Sequence, residues 1–155
     1  VIVTPLTLLL GLSGAWVGSN RLHDPFTKAP DDSPSLLAVT PVLGKRFVRL
    51  DYTWAYHDDP QEGSVLLGFE AETGTVTAQW IDTWHLGDRS MVLTGSGDDA
   101  GLLDLHGAYA APPGPDWGWR LQILATDDVI CLIMHNVSPK GVEALAVEAS
   151  YSRVD

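Results

Sequence analysis

Cysteine is almost missing from this chain: Cys131 is the only one in 155 residues. No disulfide can form within the chain, and a lone thiol cannot build a thiolate metal cluster. A reducing cytoplasm is the simplest setting for such a composition. Basic residues are scarce as well, nine against twenty acidic ones, giving a formal net charge of −11. Nucleic-acid binders displace phosphate counterions with clustered Lys and Arg, and here those residues are few and scattered. Nucleic acid is therefore not an expected partner, and anionic membranes are disfavoured on the same ground. No apolar run reaches the length of a membrane-spanning helix. Excess acid of this kind serves solubility.

Familiar catalytic signatures are missing too. "LTGSGDDAG" (93–101) superficially suggests a phosphate loop. Its glycines do not make G-x-G-x-x-G, and no helix follows to supply an N-terminal dipole. "GLSG" (11–14) lacks the strand–turn–helix setting of a nucleophile elbow. "NVSP" (136–139) matches the glycosylation tripeptide, which carries little weight without evidence of secretion. Cys131 sits among Ile130, Leu132 and Ile133 and reads as a structural thiol.

What is present points to one all-β domain over residues 1–155. Hydrophobic residues are 45% of the chain, too many for a disordered one. The opening "VIVTPLTLLLGLSGAW" has no basic n-region and is expected to be a short helix instead of a signal peptide. Thr4 suits the N-cap, Pro5 the first turn, and Leu6, Leu9 and Leu10 form an apolar stripe. Beyond it the pattern has period two, with turn signals every ten or so residues. The expected strands are 14–23, 35–42, 46–57, 63–71, 75–84, 89–95, 101–110, 117–126, 128–136 and 141–154, with a Pro- and Asp-rich loop before the second. A flat meander of that size would leave exposed edges. Closure into an up-and-down barrel of about ten strands removes them and leaves room for a small ligand.

Certain motifs also carry a resemblance. "LSGAWVG" (12–18), "VLGKRFVRLDY" (42–52), "GSVLLGFEAETGTVTAQWIDTW" (63–84), "MVLTGSG" (91–97) and "VEASYSRV" (147–154) resemble the DUF1579 family. The resemblance covers nearly the whole chain. It implies a lipocalin-like barrel with a cavity, related to the fatty-acid-binding and nitrobindin architectures, and no settled activity. Nitrobindins hold haem through a histidine on the final strand. No histidine lies in 141–155, and Ala146 stands near the corresponding position. Haem binding is therefore only a third reading, and no cofactor or metal is expected.

The candidate site residues follow from alternation. On 46–57 the even positions Arg46, Val48, Leu50, Tyr52, Trp54 and Tyr56 are the less polar set and are expected to face inward. Tyr52, Trp54 and Tyr56 would then line a cavity, or else fill the core. In "QWIDTWH" (79–85), Trp80, Asp82 and Trp84 share one face and His85 lies on the other; if Trp80 is inward, Asp82 is expected there too. A buried Asp82 could act as a general acid or base, or could hold the barrel together by accepting hydrogen bonds. Asp82 and His85 make a weak metal pair, on opposite faces with no third ligand nearby. On the last strand, hydrophobicity favours the odd positions as inward, whereas the nitrobindin comparison favours the even ones. The even set is preferred, which puts Glu148 inside. Trp117 and Trp119 share one face of 117–124, and Arg120 the other, where it faces either a ligand carboxylate or solvent. His106 is a further candidate for the lumen, against the commoner structural role of a lone histidine.

The leading expectation is a binding protein for a small, mostly apolar or aromatic molecule. Tyr52, Trp54, Tyr56, Trp80, His106, Trp119 and Arg120 would contact it. The alternative is an isomerase, cyclase or dehydratase using Asp82 and Glu148 as acid–base groups. A homodimer through an exposed barrel face is a further expectation.

Overall fold

The computed structural model describes residues 2–154. One helical turn, α1 (Thr7–Leu10), precedes ten strands: β1 (Gly14–His23), β2 (Pro30–Val42), β3 (Phe47–Tyr56), β4 (Asp59–Glu70), β5 (Thr75–Asp82), β6 (Met91–Gly97), β7 (Leu102–Tyr109), β8 (Trp117–Ala125), β9 (Val129–Val137) and β10 (Glu143–Arg153). Each strand pairs antiparallel with its sequence neighbours, and β1 pairs with β10 to close the barrel. The all-β, ten-stranded up-and-down barrel expected from the alternation is the fold. Among the described residues no helix is long and apolar enough to cross a membrane.

The meander gives the barrel two distinct rims. The starts of β1, β3, β5, β7 and β9 share one rim with the ends of the even strands. There α1 closes the barrel, burying Leu6 and Leu9, with Leu12 just after it. A methyl group on Gly97 would strike Pro5, and one on Gly101 would strike Leu8, so this segment lies directly against the β6–β7 end. The helix begins later than Thr4 and Pro5 suggested. Thr4 instead shapes the turn before it, accepting the Leu6 N–H at 3.1 Å while its own N–H donates to Thr7 Oγ1 at 2.8 Å. A single turn is too short for propensity to hold it, and burial of its leucines does so instead.

Two loops of the sequence reading are shorter than expected. β2 starts at Pro30, inside the segment read as a Pro- and Asp-rich loop. Residues 30–36 pair with β1, but ladder pairing with β3 begins only at Leu37 opposite Tyr52. Pro34 is tolerated because this stretch is a free edge toward β3. Hydroxyls stitch that seam: Ser35 Oγ donates to the Thr53 carbonyl at 2.6 Å, and Ser33 Oγ accepts the Ala55 N–H at 3.1 Å. β3 and β4 are likewise joined directly, without the loop that strands 46–57 and 63–71 implied. His57 and Asp58 make a two-residue turn, with φ of 46° and 68°, and β4 begins at Asp59 opposite Tyr56. That left-handed geometry usually selects Asn-Gly. Here the His57 N–H donates to Asp31 at 2.9 Å, and this contact helps hold the turn.

Alternation places the core as expected on β3, where Val48, Leu50, Tyr52 and Trp54 are buried. It places β10 the other way. Val147, Ala149 and Tyr151 are buried, so the odd positions face inward, as hydrophobicity alone had favoured. A β-bulge between Leu145 and Val147 resets the register there.

Candidate functional site: the aromatic mouth of the barrel

The rim opposite α1 is built around one carboxylate. β5 ends at Asp82, which is buried, and both of its oxygens are occupied. Oδ1 accepts the backbone N–H groups of Trp84 and His85 at 2.9 and 2.8 Å. Oδ2 accepts the Tyr52 hydroxyl at 2.7 Å and the Trp54 indole N–H at 3.3 Å. Trp80 Nε1 in turn donates to the Tyr52 oxygen at 2.8 Å. A carboxylate out of water needs such donors, and this one has four. Burial first, and the charge of Asp82 second, push the Tyr52 phenol well above its usual value, so it remains a donor. Tyr52 can lie across to Asp82 because its partner on β4 is Gly63. A methyl group there would meet the phenol ring at 2.2 Å.

The two bonds to Oδ1 also turn the chain. After Asp82 the backbone bends back over the mouth, helped by the Leu86 and Gly87 N–H groups donating to the Asp82 carbonyl, each at 3.1 Å. His85 therefore enters the barrel. Its ring centroid lies 5.5 Å from Trp54, 5.6 Å from Trp80, 5.4 Å from Trp119 and 4.8 Å from Trp84. Trp80 and Trp119 stack at 5.3 Å, and Trp84 lies 5.0 Å from Tyr56. Burial pushes the His85 imidazole below its ordinary value and so favours the neutral ring, against the opposite pull of Asp82.

Two chambers adjoin at His85 and Trp119. The larger, about 510 Å³, is walled by Leu22, Trp84, Asn136, Leu145 and Ala146 among others, and opens under the loop after β1. The smaller, about 290 Å³, is walled by Trp80, Leu86, Arg89, Met91 and Tyr109. The Trp119 indole N–H is buried without a partner; the other such side-chain atom among the described residues is His135 Nδ1. An unsatisfied buried donor costs about 1–3 kcal/mol. Asn136 Oδ1 is occupied, accepting the Tyr109 hydroxyl at 2.6 Å. A larger depression of about 740 Å³ lies against the outward side chains of β1 to β5, including Ala15, Leu36, Thr53 and Ile81. His85 and Trp119 take no part in it.

The loop over the larger chamber is pinned by Asp24. Its carboxylate accepts the Phe26 N–H at 2.9 Å and lies 3.0 Å from His57 Nε2. Burial pushes this carboxyl up, but the Phe26 N–H, the His57 ring and the Tyr56 hydroxyl outweigh it and hold the carboxyl at about 2. Phe26 then rests edge-on against Trp84, with centroids 6.3 Å apart.

Several expected site residues lie elsewhere. Tyr52 and Trp54 are buried in the hydrogen-bonded floor, and Trp80 joins them while also walling the smaller chamber. Tyr56 is half-buried at the rim. Glu148 is on the outside of the wall, 2.8 Å from His23 Nε2, because the odd positions of β10 face inward. Asp82 and Glu148 thus do not face one cavity. Arg120 is also outside, bonded to Asp104 at 2.8 Å and Glu143 at 2.9 Å. His106 is exposed beside Asp104. His85, Trp84 and Arg89 were missed as site residues, since counting by two past Asp82 puts His85 outside. The signal was Asp82 itself, an Asx-turn former followed by Gly87 at a positive φ of 60°.

The family described as "Protein of unknown function (DUF1579)" matches residues 6–153. The chain belongs to the DUF1579 family. Among solved structures it is similar to Rv2717c from M. tuberculosis, at 15% identity and a TM-score of 0.67, with all of both chains covered. At that identity the likeness bears on the fold alone. No curated protein matches the chain. DUF1579 membership thus gives a barrel without an activity, and the functional reading rests on the mouth.

Proposed function

We propose that this DUF1579 protein binds a small, mostly apolar or aromatic molecule in the chambers around His85 and Trp119. The observation that carries this reading is Trp119, which walls both voids and whose buried indole N–H has no protein acceptor. Ligand sites are mostly apolar concavities with a few polar groups that fix orientation, and this mouth has that character. The rings are held in place beforehand by Asp82, so little ordering would accompany binding.

The test is a fluorescence titration with N-phenyl-1-naphthylamine, a neutral apolar probe. Saturable, blue-shifted emission is expected, and Trp84→Ala should weaken it about tenfold, as loss of an aromatic contact does. Absence of saturable binding would overturn the proposal. Acid–base catalysis on the same cavity would have to centre on His85. It is the half-buried titratable ring between the chambers, whereas Asp82 already carries four donors.

A further inference from the structure

The chain's few cations are unevenly used. Arg21, Arg49 and Arg120 are held in ion pairs with Asp32, Asp51 and Asp104. Arg153 lies over the Trp16 ring and donates to the Ser13 carbonyl. Arg89 makes no ion pair among the described residues, and it walls the smaller chamber. No Asp or Glu lines that chamber, in a chain with twenty acidic residues. Its polar groups are the Arg89 guanidinium, the Trp119 indole, whose N–H has no partner, the His85 ring, and the Tyr109 oxygen, whose proton is already given to Asn136 Oδ1. The remaining walls, Trp80, Leu86 and Met91, are apolar.

We propose that the ligand is an organic acid, an apolar or aromatic body bearing a carboxylate that Arg89 and the Trp119 N–H receive in the smaller chamber. This rests on the binding reading above and names the ligand's chemical class. A planar carboxylate matches the guanidinium fork and supplies the acceptor that the indole lacks. A ligand cation would face the Arg89 charge with no carboxylate in the lining to balance it. The net charge of −11 does not oppose this at short range, because charges beyond about 8 Å are screened at physiological salt.

Calorimetry with three probes of one shape tests the assignment: naphthalene-2-carboxylate, 2-naphthylmethanol and 2-naphthylmethylammonium. The carboxylate should bind about tenfold tighter than the alcohol, the scale of one charge-assisted hydrogen bond, and the ammonium weakest. Arg89→Gln should bring the carboxylate-to-alcohol ratio close to one. Arg46→Gln, at the helix-closed rim, should leave the ratio as it was. Equal binding of the three probes, an ammonium preference, or a ratio that survives Arg89→Gln would each overturn the proposal. If the alcohol binds but the acid gains nothing, the carboxylate assignment fails and the binding reading stands. If no probe binds, both fail.

Discussion

The two ends of the barrel use the same wall for opposite purposes. At the helix-closed end, Leu6, Leu9, Leu12 and Trp16 are buried, and the Trp16 indole donates to the Leu12 carbonyl at 3.0 Å. Nothing polar in that group is left over. At the open end, four tryptophans, Tyr56 and His85 crowd together, one carboxylate arranges them, and one buried indole N–H stays unpaired. Aliphatic chains can fill a tapering space closely. Large flat rings held at fixed hydrogen-bonded positions leave gaps between them, and the two chambers are those gaps.

The strongest way to break this contrast is to cut each end in turn. Trp16→Ala should cost about 3–5 kcal/mol in urea unfolding, as for other fully buried aromatics, and leave N-phenyl-1-naphthylamine affinity unchanged. Trp84→Ala, at a half-buried site, should cost far less stability and weaken probe binding about tenfold. Equal destabilisation by the two, or probe loss in Trp16→Ala, would erase the distinction between a filled end and a binding end.

Asp82→Ala comes next, at about 3 kcal/mol, because four donors lose their acceptor. It should also disperse the rings, so near-UV circular dichroism ought to lose intensity along with probe binding. A variant that keeps the aromatic signal would show that packing alone, without the carboxylate, positions the mouth. Gly63→Ala sharpens the same point at about 1–3 kcal/mol, since the new methyl drives the Tyr52 ring away from Asp82. The readout is denaturant midpoint, and an unchanged midpoint would mean that the ring has room to move.

These residues also mark how far the sequence could be read. Period-two alternation is set by the pleat, so the inward face of β3 and of β5 up to Asp82 was legible from residue type alone. It fails where the backbone stops being a strand. His85 lies three residues past that point, and its position depends on two hydrogen bonds to a side chain. On β10 hydrophobicity favoured the odd positions, which are the buried ones, and Glu148 came out on the wrong side because the nitrobindin comparison was preferred to it. Arg120 could not be assigned from its own strand, because the partners that keep it outside are Asp104 on β7 and Glu143 on β10. Pro30 and Pro34 read as loop formers because the open β3-side edge of β2 is a property of the assembled sheet.

The smallest effect at neutral pH belongs to His85→Phe, and its value lies in the pH dependence. Phenylalanine keeps a flat ring of similar size among the tryptophans, so stability at pH 7.5 should change by less than about 1 kcal/mol. The folded chain holds the imidazole below its ordinary 6.5 through burial. In the unfolded chain the ring takes a proton near 6.5, whereas in the fold it does so only at lower pH. The stability this neutral ring supports is therefore complete above about pH 6.5, and it is lost as pH falls through the folded value. His85→Phe should flatten that part of the stability curve in urea titrations from pH 7.5 to 5. Asp24 offers an internal control in a separate window, because its carboxyl moves from 3.8 to about 2 on folding. Its contribution is intact above about pH 4, is lost between about 4 and 2, and should be the same in both proteins. A His85→Phe curve that still falls between pH 6.5 and 5 would place the neutral-ring effect on another histidine and take the aromatic mouth out of the acid response.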